Sequence, residues 1–92
     1  MKTIDILHTA FSGVQNREKS KRLIADAESA GWLIGNLAID VLELDSLDMA
    51  EMACTLSEAY EVDVVALQLE EYETLQDIVE HVEYLCEKRA VA

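Results

Sequence analysis

The chain has 92 residues, 51% of them hydrophobic, and sets seven Lys and Arg against nineteen Asp and Glu for a net charge of −12. That length is the length of one domain, and the hydrophobic share supplies one core and argues against wholesale disorder. So few cations make nucleic acid a poor partner and disfavour an anionic membrane surface, since both are gripped by clustered Lys and Arg.

The charge is segregated along the chain. Residues 1–22 hold five of the seven cations (Lys2, Arg17, Lys19, Lys21, Arg22) beside only Asp5 and Glu18, residues 23–87 hold seventeen acids and no Lys or Arg, and Lys88 and Arg89 follow. Such asymmetry bears on partners and steering more than on fold, and it fits either a solvated acidic surface or a recognition face for a basic partner. Two cysteines, Cys54 and Cys86, are too few for a disulfide framework and lack the CxxC or His spacing of a zinc site. Both fall in helix-like stretches and read as small buried hydrophobes. Met1-Lys2-Thr3-Ile4-Asp5 has no apolar segment of signal-peptide length, and the longest apolar run, Val64 to Leu67, is far short of a membrane span. A reduced, cytoplasmic setting is the expectation.

In chain order, Ile4, Leu7, Phe11 and Val14 recur at helical spacing and predict a first helix from about Lys2 to Phe11, closed at Ser12-Gly13. From Arg17 to Ala30 the composition again favours helix, over a thin apolar stripe of Leu23, Ile24 and Ala27. Gly31 and Gly35 bracket Trp32-Leu33-Ile34, which is expected to tuck into the core from a loop. Residues 12–44 thus read as a long, partly helical connection. Asp45 to Tyr60 is a helix with Asp45 as N-cap and Asp48 completing a short-armed capping box. Its apolar face is Met49, Met52, Ala53, Leu56 and Tyr60, continued by Ala50 and Cys54, and Asp48, Glu51, Thr55 and Glu58 form an acidic stripe toward solvent. Val62 to Glu71 has room for one helical turn around Ala66-Leu67. Thr74 caps the last helix with Asp77 at the box position, Leu75, Ile78, Val79, Val82 and Leu85 turned inward and Glu73, Asp77, Glu80, Glu83 and Glu87 outward. The expected fold is all-α, a single 1–92 domain built as a small antiparallel bundle of three main helices with a short helix in the last loop.

Enzymatic signatures are missing: no GxSxG, HExxH, P-loop or glycine-rich dinucleotide turn occurs. His8 and His81 lack ligand-spaced partners and read as surface or rim residues. Asp40–Asp48 lacks the central Gly of a calcium loop and carries Val and Leu between its acids, so no metal is expected. What stands out is Asp45-Ser46-Leu47-Asp48 at a helix start. Ser46 falls in the first turn, beside backbone N–H groups and the positive end of the helix dipole, where a phosphate on its hydroxyl is well placed. By itself the tetrapeptide reads first as an ordinary capping region, as most Ser near helix starts do.

The run Leu44-Asp45-Ser46-Leu47-Asp48-Met49-Ala50-Glu51-Met52, continuing through Leu56-Ser57-Glu58-Ala59-Tyr60-Glu61-Val62 and into Glu73-Thr74-Leu75-Gln76-Asp77-Ile78-Val79, resembles the acyl carrier protein family. The resemblance covers residues 36–86, with 2–14 in the place of the first helix. It implies that Ser46 carries covalent 4′-phosphopantetheine, transferred from coenzyme A by a phosphopantetheinyl transferase. It implies further a monomer with no catalysis of its own, which holds acyl groups as thioesters for enzymes of fatty-acid, polyketide or related lipid biosynthesis. Positions matching the family's partner-recognition residues are Asp45, Leu47, Asp48, Ala50, Glu51, Cys54 and Glu58, whose acids would meet basic patches on acyl-loading and acyl-processing enzymes in fast, salt-sensitive encounters. Met49, Met52, Ala53, Leu56, Val62, Ile78 and Val82 would line an acyl pocket, although each taken singly reads first as plain core.

The chain departs from the family pattern in several places. Glu43 stands where many members have Gly, Ser57 replaces a common acid, Cys54 a larger apolar residue, and the Pro often found near Val64 is absent. Some ten extra residues, carrying most of the basic charge, precede Ser46. These features suggest a carrier dedicated to one pathway. The other readings are an aminoacyl, peptidyl or D-alanyl carrier, which Leu44-Asp45-Ser46 and the charge count against, and an unmodified acidic adaptor of the same fold.

Overall fold

The computed structural model of the chain describes residues 3–91. Its elements are α1 (Thr3–Ser12), α2 (Arg17–Ser29), a 3-10 turn (Ile39–Leu42), α3 (Ser46–Tyr60), α4 (Ala66–Leu69) and α5 (Leu75–Val91). The described residues hold no strand, and one isolated antiparallel bridge joins Ala38 to Thr74. The fold is all-α as expected. It has four long helices where three were expected, because α2 forms inside the 12–44 connection; the start predicted at Lys2 lies outside the described residues.

The first helix buries Ile6, Leu7, Ala10 and Phe11, and Val14 follows them into the core. Ile4, expected to lead the apolar stripe, is instead 44% exposed. The correction is one of register: residues 6, 7, 10, 11 and 14 make a fuller one-sided set at 3.6 residues per turn than 4, 7, 11 and 14 do. At Gly13 a Cβ would stand 2.3 Å from Thr55 Oγ1, so only glycine lets the end of α1 lie this close on α3.

The second helix has little apolar surface and is docked by a polar contact. Asn16 caps it, accepting from the Lys19 backbone N–H at 3.2 Å. Leu23 and Ala27 are buried beside Ser20, whose hydroxyl donates to the Phe11 carbonyl at 2.8 Å. That bond satisfies a buried hydroxyl and ties α2 to the end of α1. Beyond α2 the chain reverses at Gly31 and Trp32, which have φ of 64° and 63°. Of the Trp32-Leu33-Ile34 segment, Ile34 is buried in the core and Trp32 packs half-buried against it as expected, whereas Leu33 is 90% exposed, contrary to expectation. A turn this tight sends neighbouring side chains to different sides, and the Trp32 ring tilts over His8 with centroids 5.9 Å apart.

The loop that follows is stitched to the head of α5. Ile39 N–H donates to the Glu73 carbonyl at 2.8 Å, and Gln76 N–H to the Gly35 carbonyl at 2.8 Å. Thr74 Oγ1 accepts from Asp77 N–H at 3.3 Å while Asp77 Oδ2 accepts from Thr74 N–H at 3.1 Å, the predicted cap. Leu75, Ile78, Val79 and Val82 are fully buried, as predicted. Ser57, one of the departures from the family pattern, accepts from Val64 N–H at 3.0 Å and donates to the Ala53 carbonyl at 2.7 Å, so it pins the α3–α4 loop that lacks a proline. α1 packs against α2, α3 and α5, and α4 against α3. The radius of gyration is 12.2 Å, close to the ~12 Å of a folded chain this long.

Candidate functional site

The start of α3 is built from two aspartates and a lysine. Asp45 adopts extended backbone (φ −96°, ψ −179°), and its side chain accepts from the Asp48 N–H at 2.8 Å. Asp48 Oδ2 accepts in return from the Asp45 N–H at 3.1 Å, closing the predicted box. The Asp48 N–H, foremost, holds the Asp45 carboxyl below its ordinary range; burial opposes this and the Lys19 charge adds to it. Ser46 is thereby left as the first helical residue, exposed, with its neighbours fixed on both sides.

A groove of about 380 Å³ opens beside the hydroxyl, lined by Ile39, Leu44, Asp45, Ser46, Met49, Glu70 and Tyr72. It is apolar on the Ile39, Leu44 and Met49 side and carries carboxylates at Asp45 and Glu70. The exposed hydroxyl at a helix N-terminus and the mixed lining suit a phosphodiester followed by an amphipathic arm.

The expected recognition residues divide. Asp45, Leu47, Ala50, Cys54 and Glu58 are exposed, with Leu47 at 67%. Asp48 is corrected: it is buried, capping α3 on one side and paired with Lys19 on the other. Glu51 is half-buried and accepts from the Gln15 N–H at 3.3 Å. The acidic stripe expected to face solvent is therefore covered along most of its length, because the α1–α2 junction lies on it, with Gly13 against Thr55, Gln15 against Glu51 and Lys19 against Asp48. The cysteines are corrected too. Cys54 is exposed, 3.7 Å from Glu58, and Cys86 is half-buried. With one flank of α3 taken by the junction and another by the core, Leu47, Ala50, Cys54 and Glu58 are left outward.

Of the expected acyl-pocket residues, only Met49 reaches the groove. Met52, Ala53, Leu56, Ile78 and Val82 are buried among one another and the rest of the core, and Val62 is half-buried at the far end of α3. Sequence reasoning missed Lys19, Ile39, Glu70 and Tyr72. Lys19 lies 29 residues from Asp48, and no periodicity links the two. Tyr72 and Glu70 come from the α4–α5 connection, which has no pattern of its own. Leu44, next to Asp45, was in view.

His8 is exposed, as expected. His81 is half-buried, its Nε2 has no partner, burial pushes its pKa down, and its ring meets the Tyr72 ring edge-on at 5.5 Å. Among the described residues no cluster of His, Cys, Asp or Glu is placed to hold a metal, and no helix is long and apolar enough to cross a membrane.

A family model described as a phosphopantetheine attachment site matches residues 36–82, which run from the loop before the 3-10 turn through α3 and α4 into α5 and contain the whole groove. Comparison with curated proteins and with solved structures finds no match. The family match spans just over half of the chain and surrounds the exposed serine, its cap and its groove, so the chain belongs to the phosphopantetheine-binding carrier family, whose domain is the site of covalent 4′-phosphopantetheine attachment.

Proposed function

We propose that the chain is an acyl carrier protein, a single 1–92 carrier unit with antiparallel helices, and that Ser46 is its attachment residue. The observation that carries the reading is Ser46 itself: an exposed hydroxyl at the first position of α3, behind a closed capping box and over a groove, inside the matched segment. A phosphopantetheinyl transferase would take the Ser46 proton as the hydroxyl oxygen bonds to phosphorus of coenzyme A, releasing the adenosine bisphosphate half. The arm's thiol, once attached, supplies thioester chemistry for an acyl group. This chain's residues present and shelter it. Asp45 and Asp48 fix the serine, Leu44, Ile39 and Met49 offer the arm an apolar wall, and Met52, Ala53, Leu56, Ile78, Val82 and Val62 are the apolar interior an acyl chain would enter past Met49.

Leu44-Asp45-Ser46, in place of the Gly-Gly-His/Asp-Ser usual for peptidyl carriers, supports acyl over aminoacyl cargo. Partner enzymes of lipid biosynthesis would read Asp45, Leu47, Ala50, Cys54 and Glu58, with Glu51 at the margin and Asp48 acting only from beneath. The chain works as a cytoplasmic monomer and performs no catalysis in this reading. Incubation with coenzyme A and a promiscuous phosphopantetheinyl transferase, followed by intact mass, tests it: one phosphopantetheine is gained by the wild type and none by Ser46→Ala. A wild type that gains nothing, or a variant that still gains it, overturns the assignment.

A further inference from the structure

We propose that Lys19 is a positioning residue for the loading of Ser46, a role that rests on Ser46 being the attachment residue. Lys19 is delivered by α2, which lies outside the segment matched by the carrier family, so this contact belongs to the part of the chain that sets it apart. Its ammonium group does two things at once. It donates to the Glu43 backbone carbonyl at 2.6 Å and pairs with the Asp48 carboxylate, the two groups standing on either side of Ser46 in sequence. Both are groups that need it.

Glu43 is held at φ 57°, the left-handed region that suits glycine and disfavours a residue with a Cβ. Nothing in glutamate's side chain recommends it there, and its carboxylate is exposed. The lysine on its carbonyl is the contact that stabilises the turn. Asp48 keeps only 5% of its surface exposed, and a carboxylate so placed requires a partner for its charge. Oδ2 of Asp48 already accepts from the Asp45 N–H, so the same oxygen that Lys19 neutralises also closes the cap. Lys19 itself is mostly covered, its side chain 17% exposed, and α2 is anchored within one residue of it by Ser20 on the Phe11 carbonyl. The ammonium is thus carried by a fixed element, and it clamps the turn before Ser46 and the cap after it into one shape.

Without Lys19, Glu43 is free to leave the left-handed region and Asp48 to swing toward water, and the hydroxyl loses the single orientation in which a transferase meets it. A group transfer depends steeply on such placement, so a loss of about ten-fold in loading efficiency is expected for Lys19→Met. Because one arm of the clamp acts through the Glu43 turn, Glu43→Gly in the Lys19→Met background should recover a measurable part of that loss, whereas Glu43→Gly in the wild type should change loading little. Lys19→Arg, which keeps the charge, should stay within a few-fold of wild type.

The test is a time course of coenzyme A-dependent mass gain on the full chain with a promiscuous phosphopantetheinyl transferase, resolved into kcat and KM for the carrier. It is accompanied by amide exchange at residues 44–48 and by urea unfolding of each variant. Slower loading of Lys19→Met with faster exchange at 44–48, relieved by Glu43→Gly, supports the proposal. Should Lys19→Met fail to fold, Lys19→Gln, whose amide is uncharged and one carbon shorter than the ammonium that meets the Glu43 carbonyl, takes its place with the same expected order. Equal loading of wild type and variant overturns the role of Lys19 and leaves Ser46 standing. A loss that tracks global stability alone, unrelieved by Glu43→Gly, also overturns it. No mass gain on the wild type overturns the Ser46 reading, and the Lys19 proposal with it.

Discussion

At the scale of single residues, the capping box shows how far a short motif reaches. Asp45 and Asp48 were legible three apart before an apolar periodic run, and the structure closes the box with a shorter acid than the usual Glu. Asp48 can do this because it is drawn inward by Lys19, which its spacing could not announce. His81 is the other residue whose behaviour is set by its surroundings. Burial favours its neutral form, so the folded state releases a proton that the unfolded chain still binds near the ordinary pKa of 6.5. The sign follows: this contribution to stability is fully present above pH 6.5 and is lost as pH falls from there toward the lowered folded value. Urea midpoints measured from pH 7.5 down to pH 5.5 should therefore decline for the wild type and decline less for His81→Gln; equal slopes would assign the effect to other groups.

At the scale of elements, α3 and α5 were readable because each carries a cap, a 3.6-residue apolar period and enough length to show both. α2 was half-readable. Its composition said helix, but Leu23 and Ala27 alone make a poor docking face, and the missing part is the buried Ser20 hydroxyl on the Phe11 carbonyl. Hydrophobic periodicity does not register a serine that is buried because it is hydrogen-bonded. Ser20→Ala removes that bond and leaves the Phe11 carbonyl with the Val14 N–H alone, while gaining a little helix propensity, so a net loss of about 0.5–1 kcal/mol is expected. The measurement is a lower urea midpoint at unchanged slope. An unchanged midpoint would mean that α2 is held by its apolar contacts and by Lys19.

At the scale of the molecule, the question is what the charge of −12 does. The cations set apart at the two ends in sequence come back onto acids in the fold, Lys19 on Asp48 and Arg89 on Glu61 at 2.5 Å. The second pair is exposed and adds little to stability. Arg17, Lys21 and Arg22 stay exposed on α2 beside the equally exposed Glu18, Asp26 and Glu28, so that helix is mixed in charge, while the α5 acids Glu80 and Glu87 and the loop acids Glu70 and Glu71 remain outward. A partner with a basic patch is then steered by long-range attraction rather than by Asp48 directly. The association rate with a phosphopantetheinyl transferase should fall by about ten-fold or more between 0.05 and 0.5 M salt, with dissociation changing far less, as stopped-flow mixing would read. A rate insensitive to salt would assign recognition to the Leu47, Ala50 and Cys54 ridge.

The helical class, the positions and caps of α3 and α5, the short α4 and the placement of Ser46 at a helix start are all legible in the amino-acid order, since each is written in local spacing and in backbone hydrogen bonds a few residues apart. That α2 is a full element, that Asp48 faces inward, that Cys54 faces out and that the groove beside Ser46 is walled by Ile39 and Tyr72 are settled by long-range packing. Those outcomes depend on which flank of α3 the α1–α2 junction covers. That choice is made by contacts across 29 and more residues, Lys19 to Asp48, Gln15 to Glu51 and Gly13 to Thr55, whose partners share no period and meet only when the chain has folded.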